Sequence, residues 1–240
     1  MSPEATTAEI TSIIQGMKPH QVADSIWLTP IWKSDSAEIF RVLNIDSSIA
    51  EGLYAASIVL PFPEDGAISF AERHQQKRLR NGVCTTWAIR TQADGPMIGL
   101  IALDPFDHGD LGLCYQHKRT VADTDTVADV DVEASTTDEA VLKCGGFGYW
   151  ISPEHAGKGI MTQVVVFALT RLARQEFNYD RVHGEAWTDN KASCRVMERA
   201  GMRRVPGLPC FVPKFNATKD IAHYVFDVHH RPTASGEGLN

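Results

Sequence analysis

A chain of 240 residues with 43 % hydrophobic content can bury one sizeable core, and 23 Lys and Arg against 30 Asp and Glu set a formal net charge of −7. That balance argues against whole-protein attraction to nucleic acid or to an anionic membrane. No run approaches the roughly 20 apolar residues of a membrane span, and Met1-Ser2-Pro3-Glu4-Ala5 lacks the basic and apolar regions of a secretory signal, so a cytoplasmic protein without membrane or nucleic-acid partners is expected.

Residues 1–24 are polar with scattered Ile and Met and read as an N-terminal arm, loose or briefly helical. A short apolar run from Ile26 to Ile31 predicts a strand. Ser34, with Glu38 close behind, opens a helical pattern that puts Ile39, Val42 and Leu43 on one face. A second helical stretch passes through Ile49 and Leu53 and is broken by Pro61-Phe62-Pro63. Glu64 to Arg80 reads as a polar helix stopped at Asn81-Gly82. Val83 to Arg90 and Met97 to Leu103 flank the turn signal Asp94-Gly95 and predict an antiparallel hairpin.

Residues 104–142 are rich in Asp, Gly and Thr and too long for an ordinary loop, so this acidic insertion reads as either partly disordered or functional. Phe147 to Ile151 then predicts a strand, Ser152-Pro153-Glu154 a turn, and Gly159 to Phe177 a helix apolar on most of its circumference. Arg181 to Trp187 is a further strand, Asn190 to Ala200 a helix ended by Gly201, and Ile221 to Val228 a last strand, followed by a flexible tail over 231–240. With no repeat and no linker, residues 25–230 form one α/β domain with a mixed sheet.

The five cysteines show no C-x-x-C pair and the nine histidines no H-E-x-x-H cluster, so neither a disulfide framework nor a metal site is expected. The most informative segment is strand, turn, then Ala156-Gly157-Lys158-Gly159-Ile160-Met161-Thr162, then helix. Glycines before a helix start let a ligand approach the backbone, and the first-turn amides favour an anion such as a phosphate. The loop is neither a Walker sequence, because Gly159 follows Lys158, nor a dinucleotide fingerprint, because Thr162 stands at the third glycine position. A tight turn needing glycine for its backbone angles is the alternative. A second pattern, Asp189 to Met202, starts a helix near Asn190, sets Ser193 close to its N-terminus and buries Val196 and Met197.

Gly148-Tyr149-Trp150-Ile151-Ser152-Pro153, the Gly157-Lys158-Gly159 loop, and Asn190, Ser193, Arg195, Val196, Glu198, Gly201 and Met202 in their spacing together resemble the GNAT superfamily of N-acetyltransferases. Within it they look like the RimJ/RimL-like branch of ribosomal-protein N-terminal acetyltransferases. The resemblance implies a GNAT-like single domain whose mixed, mostly antiparallel central sheet is flanked by helices. It further implies that the family's Q/R-x-x-G-x-G/A loop falls on Ala156 to Met161 and holds the pyrophosphate of acetyl-CoA. Ala156 departs from Gln/Arg and Met161 from the last Gly/Ala. The strand from Phe147 to Ile151 would pair its backbone with the pantetheine arm, with Trp150, Ile151 and Ser152 among the cofactor-binding residues, the loop residues Gly157, Lys158, Gly159, Ile160, Met161 and Thr162 would hold the phosphates, and Asn190 and Ser193 would lie beside the thioester.

Such an enzyme brings a neutral amine to the acetyl carbonyl, stabilises an oxyanion and releases a thiolate. Backbone amides near Ile151 suit the oxyanion. Ser193 is the candidate proton donor to the thiolate, with Asn190 positioning it. Strand alternation puts His183, Glu185 and Trp187 on one face, which makes His183 and Glu185 candidate bases, or else polar residues on a half-exposed strand. Tyr149 is a further candidate acid or a packing residue.

The leading reading is thus transfer of an acetyl group from acetyl-CoA, without metal, to a primary amine of a small molecule or a protein N-terminus; a homodimer is compatible with it. A catalytically silent GNAT-fold module that binds CoA or a partner protein is the alternative, and a phosphate-binding protein unrelated to CoA a third. The acidity is local: residues 104–142 hold ten acids and two bases, a net −8, which leaves the remaining chain near +1 and able to bind an anionic cofactor.

Overall fold

The computed structural model of the protein describes residues 18–53, 60–106, 142–207, 209–212 and 215–229. The acidic stretch from 107 to 141, the tail beyond 229 and the arm up to residue 17 lie outside the described residues. Strand β1 (His20–Ala23) forms an antiparallel pair with β2 (Ile26–Pro30), so the predicted arm gives way to sheet before residue 24. The short strand escapes sequence reading because only Val22 and Ala23 are apolar and they pack at the margin of the core.

After a 3-10 turn (Lys33–Asp35), α1 (Ser36–Leu43) buries Ile39, Val42 and Leu43, the stripe expected from its periodicity. α2 (Ser47–Gly52) is capped by Asp46, whose carboxylate accepts from the Ser48 amide. α3 (Glu64–Asn81) carries acids in its first turn and arginines in its last, complementing its dipole, and ends at Gly82. β3 (Thr86–Arg90) and β4 (Met97–Pro105) form the predicted hairpin. β4 runs two residues into the expected insertion, because Asp104 and Pro105 pair with Gly146 and Gly145.

β5 (Cys144–Ile151) is followed by a 3-10 turn (Pro153–His155) and α4 (Ile160–Phe167), which continues as a π-helix over Ala168–Glu176. The predicted single helix is thus two helical forms in series, and Thr170 donates its hydroxyl back to the Val166 carbonyl where they meet. β6 (Arg181–Trp187), α5 (Lys191–Arg199) and β9 (Ala217–Asp227) match the later expectations. β7 (Arg203–Val205) and β8 (Pro209–Val212) are short strands that pair with β9.

Among the described residues the sheet has nine strands in the order β1-β2-β3-β4-β5-β6-β9-β7, with β8 on β9. Every pairing is antiparallel except β5 with β6. The sheet is the middle layer. α4, the π-helix and α5 cover one face, where Met161, Val164, Leu169, Leu172 and Met197 pack. α1, α2 and α3 cover the other with Ile39, Val42, Leu43, Ile49, Ala67 and Trp150. Among the described residues no helix is long and apolar enough to cross a membrane.

Candidate active site

The site arises where the one parallel pairing stops. β5 and β6 stay in register only from Cys144 with Arg181 to Phe147 with Gly184. Beyond that point Gly148–Ile151 continue along β4, while Glu185–Trp187 continue along β9, so the two strands part and leave a fork in the sheet. The Ser152 amide donates to the Ile98 carbonyl on β4 at 2.7 Å. By strand alternation the backbone groups of Tyr149 and Ile151 therefore point away from β4, into the fork, where no strand among the described residues pairs with them.

A cleft of about 520 Å³ passes through the fork. Tyr149, Trp150 and Ile151 line it from β5, Ala156, Gly157, Gly159, Ile160, Met161 and Thr162 from the loop and α4, and Asn190, Ser193, Arg195 and Arg199 from α5. Gly157 and Gly159 both sit at positive φ, 73° and 77°, and a Cβ at either would meet nothing within 4 Å, so backbone angle and not crowding demands glycine. Gly159 is the N-cap of α4 and supplies no side-chain cap, and no acid lies in the first turn. The first amides of α4 thus face the cleft unpaired. Among the described residues no Asp or Glu lines the cleft, whereas Arg195 and Arg199 do, which suits an anion of high charge.

Asn190 caps α5: its Oδ1 accepts from the Ser193 amide at 3.1 Å. Ser193 is half-buried, and its carbonyl accepts from the Tyr149 hydroxyl at 3.3 Å. Burial pushes the Tyr149 phenol up to about 12, so it holds its proton at neutral pH.

The expected bases lie on the face covered by α1–α3. His183 is 7 % exposed, stacks on Phe106 with ring centroids 4.4 Å apart, and shares a 3.0 Å hydrogen bond with His223. Glu185, one step further along β6, stands at the fork and opposite His223 in the register. Its Oε1 is buried and has no hydrogen-bond partner among the described residues, and burial raises its pKa.

Two residues assigned to the cofactor do not line the cleft. Ser152 is 1 % exposed, with a buried hydroxyl, and Lys158 is exposed on the loop. Contributions from α2, namely Ser48, Ile49, Gly52 and Leu53, and from Arg195 and Arg199 enter from outside the predicted set. The two arginines carry a readable signal, a spacing of four on one helix that also holds Ser193; the α2 residues carry none, since only tertiary packing brings them there.

The model of the acetyltransferase (GNAT) domain family matches residues 25–203. Among solved structures the chain is similar to RimL, the ribosomal L7/L12 alpha-N-protein acetyltransferase, in complex with coenzyme A, at 14 % identity and TM-score 0.61, covering 88 % of this chain and 98 % of that one. It is also similar to the acetyl transferase from Salmonella typhimurium that modifies the N-terminal serine of 50S subunit protein L7/L12, at 15 % and 0.60, covering 88 % and 99 %. A third is the microcin C7 self immunity acetyltransferase MccE in complex with acetyl-CoA and AMP, at 14 % and 0.60, covering 86 % and 94 %. At these identities the likeness is one of fold. No curated protein matches the chain.

Proposed function

The chain belongs to the GNAT acetyltransferase family, and from that premise we propose that it transfers an acetyl group from acetyl-CoA to a primary amine by direct attack of the amine on the thioester. The observation that carries this reading is the fork between β5 and β6, which opens onto an uncapped helix N-terminus behind two left-handed glycines. The acceptor class most worth testing is a protein N-terminus, as in the RimJ/RimL-like branch, because two of the structural neighbours act on ribosomal-protein N-termini. The domain is assigned from His20, where β1 joins the sheet, to Val228.

The amides of Gly159 to Thr162 and the guanidinium groups of Arg195 and Arg199 are the groups to hold the cofactor's phosphates, and they replace the side-chain contact that Ala156 lacks. The backbone of Tyr149 and Ile151 is free to pair with the pantetheine amides and to donate to an oxyanion. The cofactor supplies an acetyl group activated as a thioester. An amine attacks only as the free base, so a proton must leave it; the Glu185 carboxylate at the fork takes that proton, and its raised pKa makes it a stronger base than an ordinary glutamate. As the new C–N bond forms and the C–S bond breaks, Ser193 donates its proton to the departing sulfur and regains one from water, into which the nitrogen sheds its second proton on becoming an amide. Asn190 holds Ser193 in place through the first turn of α5.

The test is free-thiol release from acetyl-CoA against unblocked peptides beginning with Ser or Ala, spermidine and glucosamine. Thiol release that depends on one of these amines, with an acetylated amine as product, is the expected result. A thermal shift with CoA but no thiol release from any amine would overturn the reading in favour of a silent CoA-binding module.

A further inference from the structure

A glycine inside a central strand weakens it, because it adds backbone entropy and packs nothing, so each one calls for a reason. Most of the strand glycines around the fork have one. A Cβ on Gly145 would lie 2.6 Å from the Tyr179 ring, on Gly146 2.7 Å from Phe106, on Gly184 2.7 Å from Phe147, and on Gly99 2.6 Å from the Trp150 carbonyl. Gly148 is different. Its φ lies outside the left-handed region, a Cβ there would meet none of the described residues within 4 Å, and the residue is exposed although it lies between the half-buried Tyr149 and Phe147 in the middle of the sheet. Neither backbone geometry nor packing requires glycine at this position.

Its location supplies the reason. On β5 the side chains of Phe147 and Tyr149 point to the α4–α5 face, where they meet Met197's neighbour Gly184 and the Ser193 carbonyl. Gly146 and Trp150 face the opposite side, toward Phe106 and the α1–α3 core, so Gly148 between them faces that side as well. Its partner on β4 is Ala102, another small residue, and on its other flank β6 has just parted to leave Glu185. The result is a patch without bulky side chains on the edge of the fork, on the face that carries Glu185, and Gly148 is not part of the wall of the cofactor cleft.

We infer that Gly148 is a specificity-determining residue, the floor of an acceptor port through which a slim primary amine, at the end of an extended peptide or an aminoalkyl chain, reaches the thioester from the Glu185 face. The inference rests on the acetyl-transfer reading above and divides the reaction across the sheet. The acceptor enters and loses its proton on the side of Glu185, and the thiolate is protonated on the side of Ser193 and Tyr149. Because the missing side chain is what admits the amine, acceptors whose carbon beside the nitrogen carries a bulky side chain, such as a peptide beginning with Val or Leu, are the ones excluded first.

The experiment compares Gly148→Ala, Gly148→Val and Gly148→Leu with the wild type, using the amine turned over fastest among the Ser peptide, the Ala peptide, spermidine and glucosamine. The expected result is a graded fall in kcat/KM for the amine, at least tenfold for Leu and carried by KM, with the KM for acetyl-CoA and the melting temperature unchanged. Should the Leu variant fail to fold, the Ala and Val variants still report the gradient. Unchanged amine kcat/KM across the series overturns the inference and leaves the acetyltransferase reading standing. A KM for acetyl-CoA that rises in parallel with that for the amine also overturns it, by placing Gly148 against the cofactor. A wild type that acetylates no amine overturns both.

Discussion

The phenol of Tyr149 donates to the backbone carbonyl of Ser193 at 3.3 Å, which ties the open end of β5 to the first turn of α5. The Ser193 amide is held at the same time by Asn190. With both backbone groups engaged, Ser193 is held on a fixed mount at the cleft, which suits its proposed role as proton donor to a departing sulfur. Ser193→Ala is therefore expected to lower kcat by about 10²-fold, the usual worth of one acid–base group, while acetyl-CoA affinity stays near that of the wild type. Single-turnover thiol release measured beside CoA titration calorimetry checks this, and full retention of kcat with an unchanged pH profile would remove the role. Tyr149→Phe deletes the mount and not the donor. It should cost about 1 kcal/mol of stability, one hydrogen bond, and a smaller part of kcat.

Gly157 and Gly159 make a separate prediction. An L side chain at either must adopt the left-handed region, at about 1–2 kcal/mol per residue, although space for a methyl group is open. The Gly159→Ala chain can relieve the strain only by turning the α4 amides away from the cleft. A fall of about 2–8 °C in melting temperature is expected from 2–4 °C per kcal/mol, together with a larger fall in CoA affinity. A variant that is less stable yet binds CoA as tightly as the wild type would show that the loop does not hold the cofactor.

The sequence carried the parts of this site that rest on local rules. The apolar stripe of α1, the hairpin of β3 and β4, and the glycine loop before α4 each have a period, a turn signal or a forced backbone angle that survives without tertiary context. It did not carry the parts fixed by what lies opposite. His183 looked like a base on a half-exposed strand, but Phe106 covers its ring and His223 takes its nitrogen, from residues 77 positions before and 40 after it. Ser152 is polar and beside the motif, yet its amide joins β4 and buries it. β1, β7 and β8 span three or four residues each, too few for a strand period to show.

Arg195 and Arg199 stand one turn apart on α5 at the cleft. Replacing both by alanine should raise the KM for acetyl-CoA by an order of magnitude or so, and flatten its dependence on salt, because exposed charges act through a screened field. The kcat should hold, since neither side chain is placed at the reacting carbonyl. Initial rates at 50 and 500 mM salt, the conditions where screening lengths differ most usefully, decide the matter.

A buried charge cluster lies in the scaffold apart from the cleft. Arg90 on β3 and Asp35 before α1 are each 9 % exposed and lie 2.6 Å apart, with Glu38 at 3.4 Å and the Thr29 hydroxyl on the guanidinium Nε. Asp35→Ala leaves a buried guanidinium with Glu38 as its remaining carboxylate, beside the neutral Thr29 hydroxyl and Gly95 carbonyl, and breaking such a pair costs about 3–5 kcal/mol. The expected loss is roughly 10 °C in melting temperature, from 2–4 °C per kcal/mol. Glu38→Ala, at the longer contact, should cost less, although it also frees the Met97 amide that this carboxylate accepts from at 2.6 Å. Equal stability of the two variants would show that the ion pair adds nothing to the anchor.

Glu185 joins stability to catalysis with opposite signs. Burial raises its pKa, so the folded protein holds this proton more tightly than the unfolded chain does. The favourable contribution of the group is complete below the ordinary glutamate value, near pH 4, and is lost as pH rises through the elevated folded value. Glutamine cannot ionise and loses nothing over the same range. Glu185→Gln should therefore match the wild-type melting temperature near pH 4 and exceed it at pH 8. If the carboxylate accepts the amine's proton, the same substitution lowers kcat/KM for the amine by about 10²-fold or more, and abolishes the rise in rate that follows Glu185 ionisation in the wild type. Melting curves and pH–rate profiles on the one variant test both halves. A gain in stability without loss of rate would leave Glu185 a buried acid and return the search for the base to the other groups at the fork.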